Sequence, residues 1–387
     1  MNKNLKAEDC GPTAGWLEAD GKNIVLFHPH IPTGTDELVS RVLQSRWIGQ
    51  GPLVDQFEVE FNEYVDGGTS LAVGSGTDAL HLAYILAGVG PGDEVICPVF
   101  TCTATNLPLL YIGAKPVFAD VNPETMNIDY NSVRSLITEK TKAIVTVDYG
   151  GLPCDYDELI EIAKQFDLKI IDDAAHAVGA EYKGRKLGGI ADFTTYSFQA
   201  IKHITTGDGG MLVIKDQEYV DKARRIRWFG IDRKEKQNGI WANNIFEVGY
   251  KYQMTDIGAA MGLSGLHSFH ETLKHRQTLL KTYESNLRSL EYVYNVGIDA
   301  QEDKSHAAWL HTILVDNREE LQRNLRSHGI EAGQVHFRND MYSIFGNRRN
   351  YLKNMDEIEN KYLVLPLHTK MTEDDAFRIT EIIRQGW

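Results

Sequence analysis

From about residue 70 the chain alternates short apolar runs with helical patterns. "LAVGSG" reads as a strand entering a glycine turn, and "TDALHLAYILAG" behind it sets Leu80, Ala83, Tyr84 and Ala87 at helical spacing. "EVICPVF", "PVFADV", "AIVTVDY" and "KIIDDAA" read as further strands, rich in β-branched residues. Between them, "TATNLPLLYIG" and the amphipathic "DYDELIEIAKQFD" read as helices, the second with acids near its start. Strands alternating with helices predict βαβ units: an α/β fold with a doubly wound, mostly parallel sheet. Before the sheet, residues 36–64 read as mostly helical. After "GMLVIK" come a helical stretch through "QEYVDKARRIRWFG", a polar loop at about 231–245, and a long helical region from "MTDIGAAMGLSGL" to about residue 291. The last hundred residues read as strand, helix, loop and helix, forming a smaller α/β lobe. The expected division is a loosely held extension over 1–23, a large domain over 24–265 and a small one over 266–387.

Composition narrows the function. Of 387 residues, 40 are basic and 54 acidic, a formal charge of −14 that argues against nucleic acid or an anionic membrane as partner. Local donors in an acidic protein still bind a phosphorylated small molecule. The four cysteines, Cys10, Cys97, Cys102 and Cys154, show neither CxxC nor metal spacing, so free thiols in a reducing cytoplasm and no metal site are expected. No run of 18 apolar residues occurs, and the opening residues lack the apolar core of a secretory signal.

Three features then fall at carboxyl ends of strands, where open α/β sheets bind ligands. In "VGSGTDAL", Gly74 and Gly76 let the backbone approach a ligand. Ser75, Thr77 and the N–H groups of the helix start form an anion site. In "IIDDAAH" two acids meet at a strand end, one able to face a ligand such as a protonated heterocyclic nitrogen. In "TTYSFQAIKHITTGDGGMLVIK", Lys202 lies among apolar flanks, with Ser197 five residues before it. An amine held in such a place loses its proton readily and becomes a nucleophile. Phosphate cradle, carboxylate and lysine together suit pyridoxal phosphate (PLP).

On these residues the chain resembles the nucleotide-sugar aminotransferases of the DegT/StrS group, fold type I PLP enzymes. "SGTDAL", "DDAAH", "SFQAIKHITTGDGG" and "YQMTDIGAAMGLSGL" carry the likeness, which runs from about residue 27 to near the C-terminus. The resemblance implies that Lys202 binds the PLP aldehyde and that Asp173 faces the pyridine nitrogen. His176 takes the Gln/His position near the ring, and Gly76, Thr77 and Ser197 hold the phosphate. It implies a homodimer with active sites at the interface. Cys102 stands where the family often has an aromatic residue stacked on the cofactor, leaving Phe100, another group or a looser face in its place. Lys251 replaces an asparagine that reaches the partner's phosphate. "GQVHFRNDMYSIFG" matches the family's small-lobe loop only in part, which leaves His336 either a substrate contact or a loop histidine. The implied activity is transfer of an amino group, from glutamate, to a nucleotide-linked 4-keto-6-deoxyhexose in amino-sugar and polysaccharide biosynthesis. Pyridoxamine phosphate (PMP) would be the intermediate form of the cofactor. A 3-keto sugar is the alternative acceptor. Further alternatives are a sugar 3-dehydratase, in which histidine replaces the lysine, and a non-catalytic regulator on the same fold.

Overall fold

The computed structural model describes residues 17–18, 21–233, 239 and 244–387. The extension expected over 1–23 falls mostly on residues 1–16 and 19–20, which lie outside the described residues, as do Cys10 and much of the polar loop at 231–245.

Seven strands form the main sheet: β1 (Thr69–Val73), β2 (Glu94–Pro98), β3 (Lys115–Ala119), β4 (Thr141–Val147), β5 (Lys169–Asp173), β6 (Phe193–Ser197) and β7 (Gly210–Ile214). They lie in the order β1-β7-β6-β5-β4-β2-β3. All run parallel except β7, which is antiparallel to both neighbours and pairs Gly210 with Val73 and with Ser197. The expected mostly parallel, doubly wound sheet is thus present, and β7 returns the chain from Lys202 past the glycine turn. Gly210 is required for that passage: a Cβ there would meet the Ser75 carbonyl at 2.5 Å.

Apolar side chains cover both faces of the sheet. Leu71, Val95, Val145 and Ile171 pack on one side and Ala72, Ile96, Ile144 and Ile170 on the other, as period-two alternation requires. The helix Gly76–Leu86 is buried nearly all round, including Ala79, Leu82 and Leu86 off the expected stripe, because it lies between the sheet and neighbouring helices. The stretch 36–64 divides into helices Thr35–Gln44 and Pro52–Val65, the second started by Pro52 at a position suited to proline.

A second sheet holds β8 (Val293–Asn295), β9 (His311–Val315) and β10 (Tyr362–Leu365) in the order β8-β9-β10, covered by helices Phe269–Leu287 and Glu373–Arg384. The long helical region is two helices, Asp256–His267 and Phe269–Leu287, meeting at Ser268. A short pairing of Phe337–Arg338 with Phe100–Thr101 ties the C-terminal part to the end of β2. No helix among the described residues is long and apolar enough to cross a membrane.

Candidate active site

The site forms where the carboxyl ends of β1, β5 and β6 meet. Ser75 caps the helix Gly76–Leu86, its hydroxyl accepting the Asp78 N–H at 3.0 Å. That cap uses the Ser75 oxygen, so the anion site passes to Gly76 and Thr77, the first helical residues, whose N–H groups have no carbonyl of the helix to bond. Ser197 ends β6 directly opposite: a Cβ on Gly76 would lie 3.0 Å from the Ser197 Cβ. Glycine therefore lets the two backbones close a cradle of N–H and hydroxyl donors. Asp78 borders it, and burial pushes its carboxyl up to about 6.

Adjacent residues on β5 face opposite ways, and this separates the two acids. Asp173 Oδ2 accepts the Thr105 hydroxyl at 2.7 Å and Oδ1 accepts the Ala175 N–H at 3.2 Å. Burial raises its pKa, opposed by the Thr105 bond and the Lys202 charge. Asp172 accepts the Thr146 hydroxyl at 3.0 Å and is fully buried on the other side, near Asp148. Asp148 takes the Tyr156 hydroxyl and the Cys154 N–H. Neither Asp148 nor Asp172 has an ion-pair partner among the described residues. Burial and repulsion by Asp148 raise the pKa of Asp172, which lies on the face of β5 opposite Asp173.

Lys202 follows β6 in a tight loop, its N–H bonded to the Gln199 carbonyl at 2.9 Å. Its Nζ lies 3.7 Å from the Trp309 ring centroid. Burial pushes the amine down to about 8, while the Asp173 charge acts the other way. His176 stacks on Trp309 at 3.8 Å and 18°, and its Nε2 is 3.3 Å from Nε2 of His336. Burial holds His176 well below the usual histidine range, and the charge of Lys202 adds to this, so it is neutral. His176 Nδ1 is buried without a hydrogen-bond partner. His203 is committed elsewhere, its Nε2 2.7 Å from the Ala307 carbonyl.

Lys202, Asp173, His176, Gly76, Thr77 and Ser197 thus come from strand ends on one edge of the sheet. Cys102 is an exposed free thiol at the start of helix Thr103–Tyr111. Phe100 does not cover a ligand in its place: it is 1% exposed and packs edge-on to Tyr149 and Tyr362. Lys251 is exposed, 5.5 Å from the Phe229 ring and bridged through its backbone to Trp228. Trp309 and Thr105 carried no sequence signal, because each reaches the site from a distant segment. His336, open in the sequence between substrate contact and loop histidine, reaches the site from the small lobe and stacks on His176.

The cradle, the unpartnered His176 Nδ1, the buried Asp173 carboxylate and the amine near 8 fit PLP. The first meets a phosphate, the third a protonated ring nitrogen and the last an aldehyde.

The family model for the DegT/DnrJ/EryC1/StrS aminotransferase family matches residues 30–384. The chain belongs to that family. It is an aminotransferase with the architecture of fold type I PLP enzymes. It is 34% identical to a GDP-perosamine synthase of Caulobacter vibrioides over 95% of this chain and 99% of the relative. It is 31% identical to the UDP-4-amino-4-deoxy-L-arabinose–oxoglutarate aminotransferase of Shewanella sediminis, over 93% and 97%. Among solved structures, Spr1654 from Streptococcus pneumoniae in its PMP form superposes with a TM-score of 0.88 at 30% identity, covering 94% of this chain and 98% of that one. The same protein in its PLP form gives 0.87.

Proposed function

We propose that this aminotransferase uses PLP to move an amino group from glutamate to a nucleotide-linked keto sugar, with C4 of a 6-deoxyhexose as the favoured position. The observation that carries the reading is the convergence of Lys202, Asp173 and the Gly76–Thr77–Ser197 cradle at one sheet edge. The relatives' names support the substrate: one makes a GDP-linked product, and the other pairs a 4-amino nucleotide sugar with oxoglutarate. A 3-keto sugar is the second acceptor to test.

When bound, PLP supplies an aldehyde that carries the amino group and a ring that takes up electrons. The chain's residues do the rest. Gly76, Thr77 and Ser197 hold the phosphate. Asp173 keeps the proton on the pyridine nitrogen, and Thr105 and the Ala175 N–H aim that carboxylate and oppose the burial that raises its pKa. Lys202, with an amine near 8, gives and takes a proton near neutral pH. His176 lies neutral beside the ring, and Cys102 borders its open face without taking part in chemistry. The dehydratase alternative needs histidine at the lysine position. His203 is turned to the Ala307 carbonyl, and Lys202 is the side chain within the field of Asp173.

We place the boundary between the domains near 265/266 and the enzyme in the cytoplasm as a homodimer. Ile245, Phe246 and Val248, just before Lys251, are 55%, 82% and 77% exposed, an apolar run of the kind that a second subunit covers. Lys251 would then donate to the partner's phosphate.

The test is a half-reaction. PMP-loaded enzyme is mixed with nucleotide-linked 4-keto and 3-keto sugars, and recovery of the PLP absorbance is followed. A 4-keto-6-deoxy substrate should restore it within seconds to minutes. Reaction with the 3-keto sugar alone would move the position, and no reaction with either would overturn the substrate class.

A further inference from the structure

Trp309 belongs to none of the motifs that point to the site, and it lies at the site's centre. The ring is 1% exposed, and its N–H donates to the Ile201 carbonyl at 3.1 Å, which ties it to the residue before Lys202. His176 stacks nearly parallel at 3.8 Å and covers one face. The Lys202 Nζ lies 3.7 Å from the same centroid, and since both groups cannot crowd one face at that height, the amine takes the other. Phe27 packs at 5.9 Å and 23° and supports the indole. Among the described residues Lys202 makes no ion pair. An indole face attracts a cation within about 6 Å of its centre, most strongly where water is excluded.

We propose that Trp309 is a positioning residue for Lys202: its face docks the amine as an ammonium whenever the amine is not covalently engaged, and so holds it for proton transfer. The inference rests on the reading of Lys202 as the reacting amine. The titratable groups around the amine leave room for this role. Asp173 and Cys102 favour its charged form, while burial opposes it. His176, His203 and His336 are held below the usual histidine range by burial, so they add no competing charge at neutral pH.

The sign of one measurement decides. In PMP-loaded enzyme Lys202 is free, and its acylation by trace acetic anhydride, read by peptide mass across pH, gives the midpoint at which the amine loses its proton. If the indole stabilises the ammonium, Trp309→Leu lowers that midpoint by about 0.5–1 pH, and Trp309→Phe lowers it less. If Trp309 only keeps water away, its loss raises the midpoint. An unchanged or raised midpoint in the variants overturns the proposal. Should the leucine variant fail to fold, the phenylalanine variant decides by the same sign. Failure of the underlying reading is distinct: borohydride would then fix the cofactor on another lysine, whatever the Lys202 midpoint does.

Discussion

Asp173→Asn retains cofactor binding and loses on the order of 10²–10³-fold in turnover, because the carboxylate acts where charge develops in the transition state. An amide preserves the size of the side chain and both of its neighbours, Thr105 and the Ala175 N–H. It does not hold a proton on a ring nitrogen, so the electron sink fails while the cradle of Gly76, Thr77 and Ser197 still grips the phosphate. Asp172→Asn is the control. Asp172 faces away from the site, bonded to Thr146 and repelled by Asp148, and its amide should leave turnover within a few-fold of the parent. The two variants are compared by cofactor absorbance and by single-turnover rate with glutamate. A severe loss in Asp172→Asn, with Asp173→Asn active, would reverse the assignment of the two acids.

Lys202→Ala should lose about 10²–10⁴-fold in turnover, since it removes both the covalent anchor and the proton carrier. Its use goes further when combined with Lys251→Ala. If Lys251 reaches the partner's phosphate, a hybrid of the two variants has one site with both lesions and one with neither. Random reassociation makes half the dimers hybrids, so activity should return to about a quarter of the parent's in a two-fold symmetric dimer. If Lys251 serves its own subunit, every site carries one lesion and no recovery occurs. Near-full activity of Lys251→Ala alone would make it a solvated residue before the helix Asp256–His267.

Much of this site was legible because its parts are local. Gly76 and Thr77 follow β1 directly, Asp172 and Asp173 are neighbours on β5, and Ser197 and Lys202 flank one loop. A period of two along β5 was enough to say that only one acid faces the ligand. The fold was legible for a related reason: buried parallel strands are continuous apolar runs, and the helices between them carry their own spacing. What escaped reading depends on contacts across long stretches of chain. Trp309 meets Ile201 across more than a hundred residues, and Thr105 meets Asp173 across 68. The direction of β7 is set by its neighbours, not by its own apolar run. The break at Ser268 was hidden because helical sequence continues on both sides. Strand β10 received no assignment, because its four apolar residues end against Pro366 and are too few to show a period. Phe100 was an open alternative as cofactor cover until Tyr149 and Tyr362 claimed it.

The most direct test of the account is to reduce the PLP-loaded protein with borohydride, digest it and map the modified peptide by mass. One pyridoxyl group per chain is expected, on Lys202 in the peptide spanning "SFQAIKHITTGDGG". A label on any other lysine, or none with PLP bound, would contradict it.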